Sequence, residues 1–185
     1  LHANQIQGFF DIPVDNLFAA PTFVQHVKKN IKSKNLVCVA PDVGGVERAR
    51  AIAKRLSADL AIIDKRRSGP GTSEVMNVIG DVRNKICIII DDLVDSGGTI
   101  VNAATALKNK GARDVYAYVV HGVLTGQAVK KINNSKIKKF VISNSICNIK
   151  KIKKSKKFQV ISVGTLFAEA IMRISISKSV SKLFK

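Results

Sequence analysis

Short apolar runs alternate with amphipathic segments along most of the chain. The apolar runs are continuous, which is typical of parallel strands that are buried on both faces. The predicted strands are LVCVA (36–40), LAIID (60–64), ICIII (86–90), VYAYVV (115–120) and runs near 139–142 and 158–162. Between them, segments of helical periodicity begin near Ala20, Val46, Thr99, Thr125 and Val163. Strands that alternate with helices predict an α/β fold with a doubly wound parallel sheet.

Two helices and one loop carry more detailed predictions. In the helix that begins at Ala20, the predicted inward face consists of Phe23, Val24, Val27 and Ile31. In the helix that begins at Val46, it consists of Val46, Ala49, Ala53 and Leu56. Residues 65–85 are polar and glycine-rich at first, so we predict a long loop there, of the kind that carries function or moves.

The chain of 185 residues is long enough to bury the core of one domain. It begins at Leu1 without a Met or a signal-peptide pattern, so we expect a fragment that lacks its true N-terminus. No apolar run approaches the roughly 20 residues of a membrane span, and we expect no membrane association. Cys38, Cys87 and Cys147 form neither a disulfide framework nor a metal-ligand pattern, so we expect a reducing cytoplasm.

A formal net charge of +18 raises the question of nucleic-acid binding. Most of the excess lies in residues 130–157, where Lys alternates with Ile and Asn. No aromatic platform lies among these charges, and Lys outnumbers Arg, which would be preferred for bidentate phosphate contacts. We therefore interpret this segment as a solvated face and expect no specific nucleic-acid partner.

The stretch IIIDDLVDSGGTI (88–100) holds the candidate chemistry. Asp91 and Asp92 directly follow a predicted buried strand, where adjacent carboxylates repel each other and lose hydration. A structural role alone therefore explains them poorly. This strand end lies at the carboxyl edge of the predicted sheet, together with the turns after Ala40 and Asp64, and ligands bind at that edge in such folds.

The SGGT turn (96–99) opens the next predicted helix. Its backbone N–H groups and hydroxyls can cradle one phosphate, and glycine lets an anion approach the backbone closely. The carboxylates of Asp91 and Asp92 can accept hydrogen bonds from hydroxyl groups or from a hydrated cation. The phosphate cradle and the acidic pair together therefore indicate a site for a sugar phosphate. Helix capping would explain Asp95 but not the acidic pair. The G-x-x-x-x-G-K-[ST] pattern of a P-loop is absent.

DDLVDSGGT resembles the phosphoribosyl-diphosphate binding motif of the type I phosphoribosyltransferase fold. Further segments resemble, in order, the ribose-phosphate diphosphokinase family, also called phosphoribosyl-diphosphate synthetases. They are LHANQIQGFFDIPVDNLFA, PDVGGVERARAIAKRL, AIIDKRR, SEVMNVIGDV and GTLFAEAIMRIS. The resemblance spans essentially the whole chain and implies the C-terminal part of a protein of two similar domains. Residues 1–19 would be a remnant of the preceding domain and its linker, and residues 20–185 the C-terminal phosphoribosyltransferase-like domain.

The resemblance implies an enzyme of nucleotide biosynthesis that transfers the diphosphoryl group of ATP to O1 of ribose 5-phosphate. The products are 5-phosphoribosyl 1-diphosphate and AMP. The implied ribose-5-phosphate site consists of Arg67, Asp91, Asp92, Asp95, Ser96, Gly97, Gly98 and Thr99. Lys65 and Arg67 are the implied catalytic residues, because mobile cations can stabilise charge on the transferring phosphoryl group.

The resemblance also implies the metal site, the assembly and the regulation. Asp42, Gly44 and Gly45 would contact the diphosphate, with Asp42 and His2 as Mg²⁺ ligands. The family resemblance implies a homo-oligomer, a hexamer, in the cytoplasm. Near the C-terminus, residues 179–181 and Phe184 resemble part of a regulatory phosphate or ADP site.

Two other functions stay open at this point. A phosphoribosyltransferase would use the same cradle to join a nucleobase to phosphoribosyl diphosphate. A non-catalytic regulatory relative would keep the fold, although we would expect it to lose parts of the site. Two features depart from the family pattern: the glycines of SGPGTSEV (68–75) beside the basic residues, and the unusually Lys-rich surface.

Overall fold

The structure is a computed structural model that describes residues 3–66 and 75–184. Its strands are β1 (Leu36–Ala40), β2 (Asp59–Arg66), β3 (Val75–Ile79), β4 (Ile86–Val94), β5 (Asp114–Gly122), β6 (Lys139–Ser143) and β7 (Phe158–Ile161). Its α-helices are α1 (Ala20–Asn30), α2 (Val46–Leu56), α3 (Gly98–Asn109), α4 (Ala128–Asn134), α5 (Ile149–Ile152) and α6 (Gly164–Ser175). Two 3₁₀ helices flank them, at Asn4–Phe9 and Val180–Phe184.

The described strands form one seven-stranded sheet in the order β3-β2-β1-β4-β5-β6-β7. Every neighbouring pair is parallel except β2 and β3, which are antiparallel. The predicted α/β fold with a doubly wound, mostly parallel sheet is therefore confirmed. The prediction of a loop across 65–85 is wrong at residues 65–66, which belong to β2, and at residues 75–79, which form β3. The five residues of β3 pair with β2 and form one edge of the sheet.

Apolar cores cover both faces of the sheet. The predicted face of α1 is confirmed, because Phe23, Val24 and Val27 are buried and Ile31 is buried just beyond the helix. In α2 the predicted Ala49 and Ala53 are buried, while Val46 and Leu56 are only partly so. The sequence interpretation missed Ile52, which is almost fully buried. Burying one such side chain contributes about 1.5–3 kcal/mol to folding, so α2 is anchored chiefly by this residue.

Strand β4 is longer than the apolar pattern predicts. It runs from Ile86 to Val94, because β5 supplies backbone partners as far as the Val94–Gly122 pair. Asp91 and Asp92 therefore lie inside the last part of a paired strand and not after it. Their backbone is fixed by the sheet, which makes their side chains a rigid feature of the carboxyl edge.

Some of the lysines of residues 130–157 stabilise backbone carbonyls. The Lys139 ammonium donates to the Lys156 carbonyl at 2.8 Å, and the Lys157 ammonium donates to the Ser135 carbonyl at 2.6 Å. These bonds show that part of the lysine-rich segment takes part in holding the fold together. No helix in the described part of the chain is both long and apolar enough to cross a membrane.

We expect DNA or RNA binding by this lysine-rich face to be weak and independent of sequence. Diffuse ammonium groups bind phosphates by releasing counterions, so the affinity should vanish as salt rises towards roughly 0.2 M. Fluorescence anisotropy of labelled oligonucleotides in a salt series measures this, with a scrambled sequence as the control. Tight, sequence-selective binding in roughly 0.2 M salt would show instead a dedicated nucleic-acid site.

Candidate functional site

The candidate site lies at the carboxyl edge of the sheet, around the ends of β1, β2 and β4. Strand β1 ends at Ala40, which pairs with Ile62 of β2. Strand β2 then continues to Arg66, so the antiparallel pair of β2 and β3 projects beyond the end of β1. Lys65 lies on this projection, opposite Met76. The predicted catalytic residue Arg67 lies outside the described residues.

The acidic pair is mostly buried, with side-chain exposures of 16% for Asp91 and 11% for Asp92. Arg48 of α2 binds both carboxylates: Nη1 lies 3.2 Å from Asp91 Oδ1, and Nη2 lies 2.9 Å from Asp92 Oδ2. The Asp92 backbone N–H also donates to Asp91 Oδ1 at 2.9 Å. Burial raises the pKa of Asp91 to about 7, although Arg48 acts in the opposite direction. The two carboxylates therefore form a desolvated acidic site, and the guanidinium of Arg48 bridges them.

The turn between β4 and α3 has the geometry expected of an anion cradle. Gly97 has a φ of +77° at the N-cap of α3, and no side chain caps that helix. A Cβ on Gly97 would also lie 3.4 Å from the Ile132 side chain, so conformation and space both favour glycine. Ser96 and Thr99 are exposed beside the first-turn N–H groups, which lack partners within a helix. These donors can bind one phosphate.

Asp95, which was predicted to be part of the cradle, contacts the following loop. Its Oδ1 accepts a hydrogen bond of 2.6 Å from the Thr125 hydroxyl, and its carbonyl accepts one from the Thr125 N–H at 3.1 Å. The side chain of Asp95 thus ties the cradle to the end of β5. A carboxylate fixed in this way holds the turn in one orientation, with the neighbouring N–H groups and hydroxyls as its remaining donors.

The turn between β1 and α2 is closed by Asp42, whose Oδ1 accepts the Gly45 N–H at 2.9 Å. Gly45 has a φ of −84°, so its backbone conformation does not require glycine. A Cβ on Gly44 would meet only Asp42 Oδ1, at 3.4 Å. Gly44 is exposed and leaves space beside its backbone, whereas Gly45 is buried against Pro41, Asp42 and Arg48. Only Gly44 therefore has the open surroundings that the predicted contact with a diphosphate requires.

Asp42 fits Mg²⁺ in one of its usual binding modes. Because Oδ1 already accepts the Gly45 N–H, the exposed carboxylate offers its second oxygen to a cation. Within residues 3–66 and 75–184 no three His, Cys, Asp or Glu side chains come together to hold a metal. Mg²⁺ usually binds through one or two carboxylates, waters and substrate phosphates, which a single aspartate can satisfy. His2, the other predicted ligand, lies outside the described residues.

A cleft of about 600 Å³ lies beside the acidic pair. Its lining includes Arg48 and both aspartates, the apolar side chains of α1 and α2, and Phe184 from the C-terminal 3₁₀ helix. The Phe184 ring packs edge-on against Phe18 with a centroid distance of 5.5 Å, and Arg55 donates to the Phe184 carbonyl. The C-terminal segment therefore forms one wall of a space that opens onto the candidate site.

Two cleft residues were missed by the sequence interpretation, Arg48 and His121. His121 lies opposite Leu93 at the end of β5, and its Nδ1 is 2.9 Å from the Ser145 hydroxyl. Burial lowers the pKa of His121, so the neutral ring is favoured. The position of Arg48 in the first turn after PDVGG was the only signal available for it. For His121 the position at a strand end, at the same edge as Asp92, was the available signal.

An α/β sheet that carries an acidic pair and an anion cradle on one strand end defines a class of sugar-phosphate binding folds. Comparison with known proteins identifies the family within that class. The family model described as the phosphoribosyl synthetase-associated domain matches residues 67–185. The chain belongs to this family, and the resemblance found in the sequence is confirmed.

Individual relatives agree with the family model. The chain is 54% identical to a ribose-phosphate pyrophosphokinase of Bradyrhizobium diazoefficiens and 56% identical to one of Brucella melitensis. Both matches cover the whole chain but only 58% and 59% of those proteins. A crystal structure of phosphoribosylpyrophosphate synthetase from Mycobacterium smegmatis matches with a TM-score of 0.86 and 34% identity. That match covers 96% of this chain and 57% of the mycobacterial chain, so the chain spans less than two thirds of the proteins it resembles.

Proposed function

We propose that the chain forms the sugar-phosphate half of a ribose-phosphate diphosphokinase. Such an enzyme transfers the diphosphoryl group of ATP to O1 of ribose 5-phosphate and gives 5-phosphoribosyl 1-diphosphate and AMP. The observation that carries the proposal is the continuous stretch from Asp91 to Thr99. It holds a desolvated acidic pair and an uncapped helix N-terminus, and it lies within a match to ribose-phosphate pyrophosphokinases that covers the whole chain.

On the sugar side, the proposed roles follow from the donors and acceptors available. The N–H groups and hydroxyls of residues 96–99 would bind the 5-phosphate, with Asp95 holding the turn. Asp91 and Asp92 would accept hydrogen bonds from the ribose hydroxyls. A carboxylate is a strong acceptor for a hydroxyl, and burial strengthens that bond. The proposal thus assigns each end of ribose 5-phosphate to a different part of one strand–turn–helix segment.

On the diphosphate side, the chain would supply cations and a metal ligand. The turn of Asp42, Gly44 and Gly45 would lie against the diphosphate, with Asp42 as a Mg²⁺ ligand. Bound Mg²⁺ would neutralise charge on the phosphate oxygens. Lys65 and Arg67 would stabilise the phosphoryl group during transfer. Lys65 lies on the projecting end of β2, and Arg67 follows two positions later in the sequence.

We further propose that a similar domain precedes residues 20–185 in the complete protein and supplies adenine-binding residues. Residues 1–19 would then link the two domains. The greater length of the relatives supports this proposal. The complete protein would be a homo-oligomer, a hexamer by family resemblance, and its regulatory site would include residues 179–181 and Phe184. In the structure the hydroxyls of Ser179 and Ser181 lie 2.8 Å apart, close enough to act together on one anion.

We expect Asp92→Ala to weaken ribose 5-phosphate binding by roughly ten- to a hundredfold. A hydrogen bond to a charged group contributes about 1.5–3 kcal/mol, which corresponds to that range. Isothermal titration calorimetry of the chain with ribose 5-phosphate measures the change. Asp11→Ala, which removes an exposed carboxylate on the N-terminal segment, is the control and should leave the affinity unchanged.

The outcomes also separate the alternative functions. Unchanged affinity in a folded Asp92→Ala variant would remove the proposed role of the acidic pair. Release of diphosphate from phosphoribosyl diphosphate that depends on an added nucleobase would favour a phosphoribosyltransferase. Failure of the wild-type chain to bind ribose 5-phosphate would contradict the proposed function altogether.

A further inference from the structure

The acidic pair is held by a residue to which the sequence interpretation gave no role. Arg48 lies in the first turn of α2, and its two terminal nitrogens reach one carboxylate each, at 3.2 Å for Asp91 and 2.9 Å for Asp92. The pair and the arginine are separated by more than forty positions in sequence and meet only in the fold. We propose that Arg48 is a positioning residue that fixes both carboxylates of the acidic pair for the ribose hydroxyls.

Geometry makes arginine specifically suited to this position. A guanidinium is a rigid planar fork, so its two terminal nitrogens can hold two neighbouring carboxylates at a fixed separation. Adjacent residues of a strand normally direct their side chains to opposite faces, and adjacent carboxylates repel. The fork overcomes both effects, because it attracts Asp91 and Asp92 to a common cation. A lysine ammonium is a point charge without this planar fork.

Arg48 also connects the acidic pair to the proposed diphosphate turn. Helix α2 begins directly after that turn, and the turn is closed by the bond from the Gly45 N–H to Asp42. A Cβ on Gly45 would lie 3.6 Å from Arg48 Nη1, so the guanidinium packs against the glycine itself. The proposed diphosphate turn and the residue that holds the acidic pair therefore both belong to the start of α2.

The charge balance gives the expected consequence of losing Arg48. The two carboxylates are largely buried, and loss of the guanidinium would remove a cation that lies 3.2 Å from Asp91 and 2.9 Å from Asp92 and opposes their mutual repulsion. They would separate or take up a proton, and a protonated carboxyl is a weaker acceptor for a hydroxyl. Phosphate binding at residues 96–99 does not involve Arg48. Loss of Arg48 should therefore weaken recognition of the sugar and leave recognition of a bare phosphate unchanged.

The binding test compares Arg48→Met, Arg48→Lys and the control Arg50→Met, which removes an exposed arginine of the same helix. The inference rests on the proposed function. It predicts that Arg48→Met weakens ribose 5-phosphate binding at least tenfold in calorimetry. Arg48→Lys should recover part of the loss, and Arg50→Met should match the wild type. Binding of inorganic phosphate should be the same in all four proteins. Wild-type sugar affinity in Arg48→Met would overturn the inference.

A second comparison separates positioning from direct contact with the sugar. If Arg48 acts through the pair, Arg48→Met should cost much less affinity in an Asp92→Asn background than in the wild type. An equal cost in both backgrounds would mean that Arg48 binds the ligand independently and would overturn the positioning role. If Arg48→Met fails to fold in a thermal circular-dichroism scan, Arg48→Lys decides alone. A loss of at least threefold then supports the inference, and wild-type affinity overturns it.

A third measurement needs no ligand, so it distinguishes failure of this inference from failure of the proposed function. The ¹³C signals of the Asp91 and Asp92 side-chain carboxyls should shift in Arg48→Lys and stay in place in Arg50→Met. Absence of a shift would show that Arg48 does not hold the pair in solution and would overturn the inference. Shifted signals in a chain that does not bind ribose 5-phosphate would contradict only the proposed function.

Discussion

Replacing Lys65 or Arg67 by alanine in the complete enzyme should lower turnover by roughly a hundred- to a thousandfold, which is the usual cost of removing one transition-state donor. Ribose 5-phosphate affinity should change far less. The physical reason is that the charge on the phosphoryl group is redistributed during transfer, so cations placed for the transition state would bind it better than the substrate.

The fold gives Lys65 a suitable position for this role. It lies on β2 beyond the residue that pairs with the end of β1, on a strand pair that projects past the carboxyl edge. Beyond Ile62, β2 pairs with β3 but no longer with β1. Side chains on this projecting part of β2 can therefore reach over the carboxyl edge of the sheet towards a substrate bound there. Arg67 follows two positions after Lys65 in the sequence.

Steady-state kinetics with saturating ATP and varied ribose 5-phosphate measures the two quantities separately. Lys85→Ala is a useful control, because Lys85 precedes β4 at the opposite edge of the sheet and binds Asp59 and Asp81. It should leave turnover near the wild-type value. Loss of affinity with turnover intact in the Lys65 and Arg67 variants would reassign both residues to ground-state binding.

The sequence predicted the layered fold well because hydrophobic periodicity reports burial directly. The continuous run at 36–40 is fully buried in β1, as expected of a central parallel strand. The predicted face of α1 is confirmed residue by residue. In α2 the prediction missed Ile52, because it centred the buried face between Val46 and Ala53. The buried residues are Ala49, Ile52 and Ala53, so the buried face of the helix is centred closer to Ile52 than predicted.

Boundaries and edge pairing depended on tertiary partners and could not be predicted from local pattern. Residues 75–79 follow a polar, glycine-rich stretch, so the sequence pattern favoured a loop there. In the fold these residues form a strand because they pair with β2. Strand β4 continues through two aspartates, which disfavour strands by propensity. Backbone bonds to β5 hold it in place regardless of those side chains.

The candidate site divides in the same way. The acidic pair and the cradle are contiguous in sequence, so one stretch was enough to suggest them. Arg48 and His121 enter the site from α2 and β5, and no short motif connects either of them with Asp92. The contact of Asp95 with Thr125 likewise joins two turns that only the fold brings together. Long-range partners of a local motif are the part that only the fold supplies.

The chain alone should bind ribose 5-phosphate but form negligible AMP from ATP. Apart from Arg67, the proposed sugar contacts lie on β4, in the turn that follows it and in the first turn of α3, at the edge of a seven-stranded sheet. Those contacts do not depend on another domain. The proposed adenine contacts do, so ATP would be held only by its diphosphate end.

Catalysis is more sensitive to this loss than binding is. Transfer needs the sugar hydroxyl in line with the β-phosphorus of ATP, and a misplacement of about 1 Å can cost on the order of a hundredfold. ATP anchored at one end would sample many wrong orientations, and contacts from other subunits would be absent.

Calorimetry with ribose 5-phosphate and a chromatographic assay for AMP measure both halves of the prediction on one sample. Adding the proposed preceding domain to the same chain should restore AMP formation without a large change in sugar affinity. Rapid AMP formation by residues 1–185 alone would mean that the catalytic site is complete within this chain, and the proposal of a second, adenine-binding domain would be wrong.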